Sequence, residues 1–194
     1  MRANNQIAAK ASRRTRPGHL VLIGGSVRSG KSNFALSRAL QTPGRRAFFA
    51  TAEAHDTEMR SRIQAHVAER GDSFETIEEP LELAHRLKTH ANFEVVVIDC
   101  LTLWLSNRLL RDQQAVQVSD AISELVTVLT ESRQTVIVVT NEVGMGVVPP
   151  SALGRQFRDL AGEAHRRLAA ISDEVYLATM GMILRLRPHP VVTL

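Results

Sequence analysis

Residues Gly25-Ser-Val-Arg-Ser-Gly-Lys-Ser32 fit the pattern G-x-x-x-x-G-K-[ST] at every fixed position. The run before them, His19-Leu-Val-Leu-Ile23, is short and apolar and reads as a buried strand. The stretch after them, Asn33 to Leu40, is rich in helix formers. A strand, a glycine-bearing turn and a helix in that order commit the chain to an α/β architecture. A chance Gly/Ser turn would not also place a strand and a helix on its two sides. The glycines let the backbone close around phosphate oxygens, and successive N–H groups with the helix N-terminus face the anion. Lys31 is placed to reach the outer phosphates, and the Ser32 hydroxyl to hold Mg²⁺. The motif therefore points to a nucleoside triphosphate.

Apolar, β-rich runs alternate with helical patterns along the rest of the chain. Candidate strands are 19–23, 46–51, 94–99, 134–140, 173–179 and 182–187. Helical patterns fall near 31–41, 56–69, 80–91, 102–111, 117–133 and 151–171. Strands that are apolar throughout and alternate with helices predict a mostly parallel sheet covered on both faces. The last two strands, separated only at Gly181, are expected to form an antiparallel hairpin at the sheet edge. In the last helix Ser151 is the expected N-cap, behind Pro149 and Pro150. Leu153, Phe157, Leu160, Ala161, Ala164 and Leu168 recur there at helical spacing and are expected to face the core.

Length and charge narrow the class. A chain of 194 residues suits one well-buried core, so residues 19–194 are expected to form a single nucleotide-binding domain. The net charge of +4 resides in residues 1–18, which hold Arg2, Lys10, Arg13, Arg14 and Arg16 and no acid. The remainder is close to neutral and poor in aromatics, which argues against a nucleic-acid surface. The tail is read as a basic, disordered extension. It lacks the apolar segment of a secretory signal, although its composition resembles an organelle transit peptide. No apolar run reaches the length of a membrane span. The single cysteine, Cys100, fits a reducing compartment, and a cytoplasmic location is expected.

Ligands of open α/β sheets gather beyond the carboxyl ends of the strands. Those ends are Thr51-Ala-Glu53, Asp99 and Thr140-Asn-Glu142, together with the phosphate loop. Asp99 closes an apolar strand, a common position for a Mg²⁺-associated acid in phosphate-loop proteins. Glu142, in a loop with Gly144 and Gly146, reads equally as a residue orienting a nucleophile or as part of an ordinary surface loop. Within 56–70, Met59, Ile63 and Val67 form one helical stripe, read as core, and Arg62, His66 and Arg70 form a second. Flanking arginines disfavour an imidazolium, which keeps His66 neutral and nucleophilic. A solvated basic face is the commoner meaning of such a pattern.

Four segments together resemble one family. They are Gly24 to Ser32; Arg62-Ile-Gln-Ala-His66 with Thr76-Ile-Glu78; Asp99-Cys-Leu-Thr-Leu-Trp-Leu-Ser-Asn107; and Thr140-Asn-Glu-Val-Gly-Met-Gly-Val-Val-Pro149 followed by Arg155-Gln-Phe-Arg-Asp-Leu-Ala-Gly162. The set resembles the bifunctional adenosylcobinamide kinase / adenosylcobinamide-phosphate guanylyltransferases of cobalamin biosynthesis, over roughly residues 19–187. The resemblance implies a P-loop NTPase (RecA-like) three-layer fold. It also implies two reactions: phosphorylation of adenosylcobinamide by ATP or GTP, then transfer of GMP from GTP to adenosylcobinamide phosphate through a guanylyl-histidine. The family's histidine matches His66, which overrides the solvated-face reading; His55 is a weaker candidate. By the same matching, Gly24, Gly25, Ser26, Val27, Arg28, Ser29, Gly30, Lys31 and Ser32 would cradle phosphates. Ala52, Glu53, Ala54, Val67, Ala68, Glu69 and Arg70 would line the nucleotide site. Of Glu78 and Asp99, one would read guanine and the other serve Mg²⁺. A homo-oligomer, in trimeric form, is implied as well. Gly71, Phe74 and His165 depart from the family's usual proline, tryptophan and asparagine. Two other readings stay open: a phosphate-loop kinase for another small alcohol, or a guanylyltransferase without the kinase step; and a RecA-like nucleic-acid-binding ATPase.

Overall fold

Strand β4, Val95–Asp99, shows how the sheet is covered. Its side chains alternate, so Val96 and Ile98 enter one apolar cluster and Val95 and Val97 enter another on the opposite face. Strands β1 (His19–Gly25), β2 (Arg46–Ala50) and β5 (Thr135–Val139) divide their side chains between the same two clusters. Each fully buried Val, Leu or Ile side chain contributes about 1.5–3 kcal/mol to folding. The structure, a computed structural model, describes residues 18–54, 57, 60, 64, 67, 68, 70–112 and 114–188.

Helices complete the two outer layers. α1 (Lys31–Leu40) covers one face, with Ala35 and Ala39 against the strands. α2 (Leu83–Thr89), α3 (Leu101–Asp112), α4 (Ala115–Glu131) and α5 (Ala152–Ile171) cover the other. Three further strands are β3 (Glu75–Glu78), β6 (Glu174–Thr179) and β7 (Met182–Arg187). The seven-stranded order is β3-β2-β4-β5-β1-β6-β7. All pairings are parallel except β6 with β7. This is the three-layer α/β architecture, a mostly parallel sheet with helices on both faces and an antiparallel edge hairpin, that the sequence implied. The hairpin turns through Met180 and Gly181, both at positive φ, 51° and 75°. That pair of angles suits a two-residue turn matching the twist of the strands.

The structure corrects three details. Strand β3 was not anticipated: its Glu-Thr-Ile-Glu sequence is mostly exposed at the sheet edge, so it carries no apolar run. Leu153 is 47% exposed rather than core, because the first turn of α5 precedes the buried stretch of the helix, which begins at Leu160. Val67, read as core, is 44% exposed; Met59 and Ile63 lie outside the described residues. The N-cap of α5 is as expected: the Ser151 side chain accepts from the Gly154 N–H at 3.1 Å.

The turn between β3 and α2 hangs on one buried acid. Glu79 Oε1 accepts from the N–H groups of Leu81 and Glu82, at 3.1 and 2.7 Å, and Oε2 accepts from Arg86 Nε at 2.8 Å. Burial alone would raise its pKa, but the two backbone N–H groups and then Arg86 hold it below the ordinary carboxylate value. A depressed folded pKa gives stability that is present above the unfolded pKa and is lost as pH falls through the folded one. Glu79→Gln is expected to lower stability at neutral pH by about 2 kcal/mol. It should also reduce the loss of stability on acidification below the ordinary glutamate range. Urea unfolding at a series of pH values checks both.

Candidate active site

The loop after β1 closes through two residues at positive φ, Arg28 at 54° and Gly30 at 92°. Such a turn aims successive N–H groups inward, and α1 begins directly after Gly30. Lys31 is only 6% exposed. Its Nζ donates to the Ser26 carbonyl at 2.5 Å and lies 3.5 Å from Ser29 Oγ. Burial lowers its pKa, opposed by the nearby Asp99 carboxylate and then by Cys100. The ammonium is thus held inside the loop, facing the acid at the end of β4.

The sheet order sets the spacing. β5 lies between β1 and β4, and Ile23 and Asp99 are both in register with its Val139, which puts those two residues about 9–10 Å apart at two strand spacings. A cavity of about 610 Å³ opens across this edge, within the usual range for a small-molecule site. Val27, Arg28, Ser29, Gly30, Lys31 and Ser32 form one wall, and Ala52, Arg70 and Asp99 contribute to the others. Arg70 is 6% exposed, with its guanidinium 3.7 Å from the centre of the Phe48 ring and NH2 donating to Thr76 Oγ1 at 3.3 Å. A charge so placed combines ring stacking with a fixed orientation.

Other described residues of the expected set do not line the cavity. Gly24, Gly25 and Ser26 form the root of the loop. Glu53 is half-buried, and Ala54, Val67 and Ala68 are exposed. Glu78 is exposed at the end of β3, paired in register with Ala50, which does line the cavity. Thr57, Arg60, Gln64, Val67, Ala68 and Arg70 are helical; His55, Arg62, His66 and Glu69 lie outside the described residues.

Several residues matter here through contacts that their local sequence does not announce. The Thr51 hydroxyl donates to the Cys100 carbonyl at 2.8 Å and accepts from the Cys100 N–H at 2.7 Å, which ties the ends of β2 and β4 together. Phe48, Cys100 and Leu103 line the cavity as members of apolar runs that look like any core segment. Burial, with Asp99 adding to it, pushes the Cys100 thiol up to about 11, so it is a neutral wall atom and not a nucleophile. Asn141, one of the strand-end residues singled out in the sequence, does line the cavity, and its amide donates to Thr102 Oγ1 at 3.1 Å. Among the described residues no three His, Cys, Asp or Glu side chains gather as a metal cluster. Ser32 and Asp99, which both line the cavity, instead suit a Mg²⁺ held largely by substrate phosphates and water.

The loop root has no spare room. Gly25 has φ 151°, and a Cβ there would stand 2.1 Å from the Ala178 carbonyl oxygen on β6. At Gly30 a Cβ would meet nothing within 4 Å, and only its φ of 92° resists substitution. Gly25→Ala is therefore expected to destabilise the fold by about 3 kcal/mol, against about 1 kcal/mol for Gly30→Ala. Thermal denaturation of the two variants side by side checks the ordering.

Comparison with known proteins adds the family. Residues 21–186 match the family described as cobinamide kinase / cobinamide phosphate guanyltransferase. A Pseudomonas aeruginosa protein named bifunctional adenosylcobalamin biosynthesis protein CobP is 38% identical over 170 residues, covering 87% of this chain and 98% of that one. The Escherichia coli bifunctional adenosylcobalamin biosynthesis protein CobU is 33% identical over 181 residues, covering 87% of this chain and 99% of that one. Among solved structures, the RadB recombinase superposes with a TM-score of 0.49 and 18% identity, covering 84% of this chain and 74% of that one. Among the described residues no helix is long and apolar enough to cross a membrane.

Proposed function

The chain belongs to the cobinamide kinase / cobinamide phosphate guanyltransferase family, and on that premise we propose that one nucleotide cradle serves two transfers. In the first, the hydroxyl of adenosylcobinamide attacks the γ-phosphorus of ATP or GTP; the bond to the β-phosphate oxygen breaks, the nucleoside diphosphate leaves, and the hydroxyl loses its proton. In the second, a ring nitrogen of His66 attacks the α-phosphorus of GTP and pyrophosphate leaves. A phosphate oxygen of adenosylcobinamide phosphate then attacks that phosphorus, the P–N bond breaks, and adenosylcobinamide-GDP is formed.

The observation that carries this reading is the composition of the cavity wall. Lys31, Ser32 and Asp99 share it with Arg70, which lies four residues past His66 in the sequence. A phosphate cradle and the end of the histidine segment thus meet at one cavity. Lys31, already held within the loop, offsets charge developing on the outer phosphates in either transfer. Arg70 supplies a second fixed cation. Ser32 and Asp99 would hold Mg²⁺, which when bound neutralises phosphate charge. Glu78, at the end of the neighbouring edge strand, is then the carboxylate left to accept from the guanine N–H edge.

The test uses GTP labelled at the α-phosphate. Incubation with the protein is expected to leave an acid-labile, alkali-stable label on the chain, which adenosylcobinamide phosphate discharges. With ATP and adenosylcobinamide, the phosphorylated corrinoid is expected. Kinase activity without a protein adduct would reduce the reading to a simple kinase.

A further inference from the structure

Two elements meet behind the phosphate loop through a histidine. Thr140 follows β5, and its Oγ1 lies 2.7 Å from His165 Nε2 on α5. The other ring nitrogen, Nδ1, lies 3.6 Å from Glu142 Oε2. A neutral ring with its proton on Nδ1 suits both neighbours: Nε2 accepts from the Thr140 hydroxyl while Nδ1–H faces the carboxylate. Burial favours that neutral form and lowers the pKa, opposed by Glu142. The second oxygen of Glu142, Oε1, accepts from the Gly144 N–H at 2.6 Å. The N–H of Glu142 itself donates to the Gly25 carbonyl at 2.9 Å, at the root of the phosphate loop.

The loop that begins here is tied at its far end too. Arg155 NH1 donates to the carbonyls of Pro149 and Pro150, at 3.1 and 2.7 Å. Val143 packs against the core. Between these ties Met145 is 83% exposed and Val147 is 95% exposed. An anchored backbone that presents aliphatic side chains to water gains nothing for folding, and such surfaces mark binding sites. The loop starts beside Asn141, on the wall of the cavity. A large acceptor whose hydroxyl must reach a phosphate in that cavity has to lie over this edge of the sheet.

We propose that His165 is a positioning residue for the acceptor: through Glu142 it pins loop 142–150 to the root of the phosphate loop, and the pinned loop receives the apolar part of the corrinoid at Met145 and Val147. The proposal rests on the function put forward above. Steady-state kinetics of the kinase step on the full chain, with adenosylcobinamide and ATP varied separately, test it. His165→Ala is expected to raise the KM for adenosylcobinamide about tenfold while the KM for ATP stays within about twofold. His165→Asn, whose amide can still donate to Glu142, is expected to restore most of the loss. Val147→Ser, a change in solvent, is expected to raise the same KM by several-fold without lowering Tm. Equal rises in both KM values overturn the proposal, as does a lower Tm with unchanged kinetic constants. A Val147→Ser protein with altered oligomeric mass and unchanged acceptor KM also overturns it, because the loop would then be covered by a second copy of the chain. Wild-type protein that leaves adenosylcobinamide unphosphorylated removes the functional reading and this proposal together. Active wild type with unaffected variants removes this proposal alone.

Discussion

Lys31→Ala is expected to lower both the proposed phosphorylation of adenosylcobinamide and the proposed guanylylation of the protein, each by about a thousandfold or more. That corresponds to about 4 kcal/mol of transition-state stabilisation. The size follows from the setting of the ammonium. It is buried, held by the Ser26 carbonyl at 2.5 Å, and already inside the loop that would surround the phosphates. A cation aimed in advance needs little reorganisation as charge develops, and away from bulk water its effect is larger. The fold should survive the substitution, because α1 is held to the sheet through Ala35 and Ala39 rather than through Lys31. Lys31→Met is the control: it keeps the aliphatic stem and removes only the charge, so it should be as inactive as Lys31→Ala. Initial rates for each half-reaction, with far-UV circular dichroism to show folding, check the result. Full retention of either activity would mean that the two reactions use separate nucleotide sites.

His66→Ala is expected to separate the two activities. The covalent label from α-labelled GTP is expected to vanish, and overall GMP transfer to fall by at least about a thousandfold, since the two-step route loses its nucleophile. The kinase step should stay within a few-fold of wild type, because its nucleophile is the substrate's own hydroxyl. Exogenous imidazole is expected to restore some guanylyl transfer to the variant by replacing the missing ring. An adduct of undiminished yield in His66→Ala would move the nucleophile elsewhere, with His55 the next candidate.

The parts of this molecule that follow from local chemistry were readable in the sequence. The phosphate loop lies where its motif put it, between a buried strand and a helix, because the glycines and the lysine act through the backbone they belong to. Asp99 at the end of an apolar strand reached the cavity by the same logic. Residues whose role depends on distant partners were not readable. Nothing near Thr51 in sequence indicates that its hydroxyl bridges to Cys100, nor does anything near Glu79 announce two backbone donors and Arg86. Strand β3 escaped because an edge strand needs backbone pairing on one side only and can keep polar side chains. Arg70 lines the cavity, but the Phe48 ring beneath it comes from a strand that reads as plain core. Val67 and Leu153 kept the helical period and still face water, since periodicity reports a stripe without reporting whether anything covers it.

Gly25 also bears on what could be moved to another scaffold. Its carbonyl is taken by the Glu142 N–H after β5, and the space where its side chain would be is filled by the Ala178 carbonyl of β6. The octapeptide is therefore not a self-sufficient cassette. Grafted alone after a foreign strand, it would keep its sequence and lose the two neighbours that set its first peptide planes. The smallest transplantable unit is β1 with its loop and α1, flanked by the carboxyl ends of β5 and β6. A graft of that whole unit should bind triphosphate where the bare motif does not.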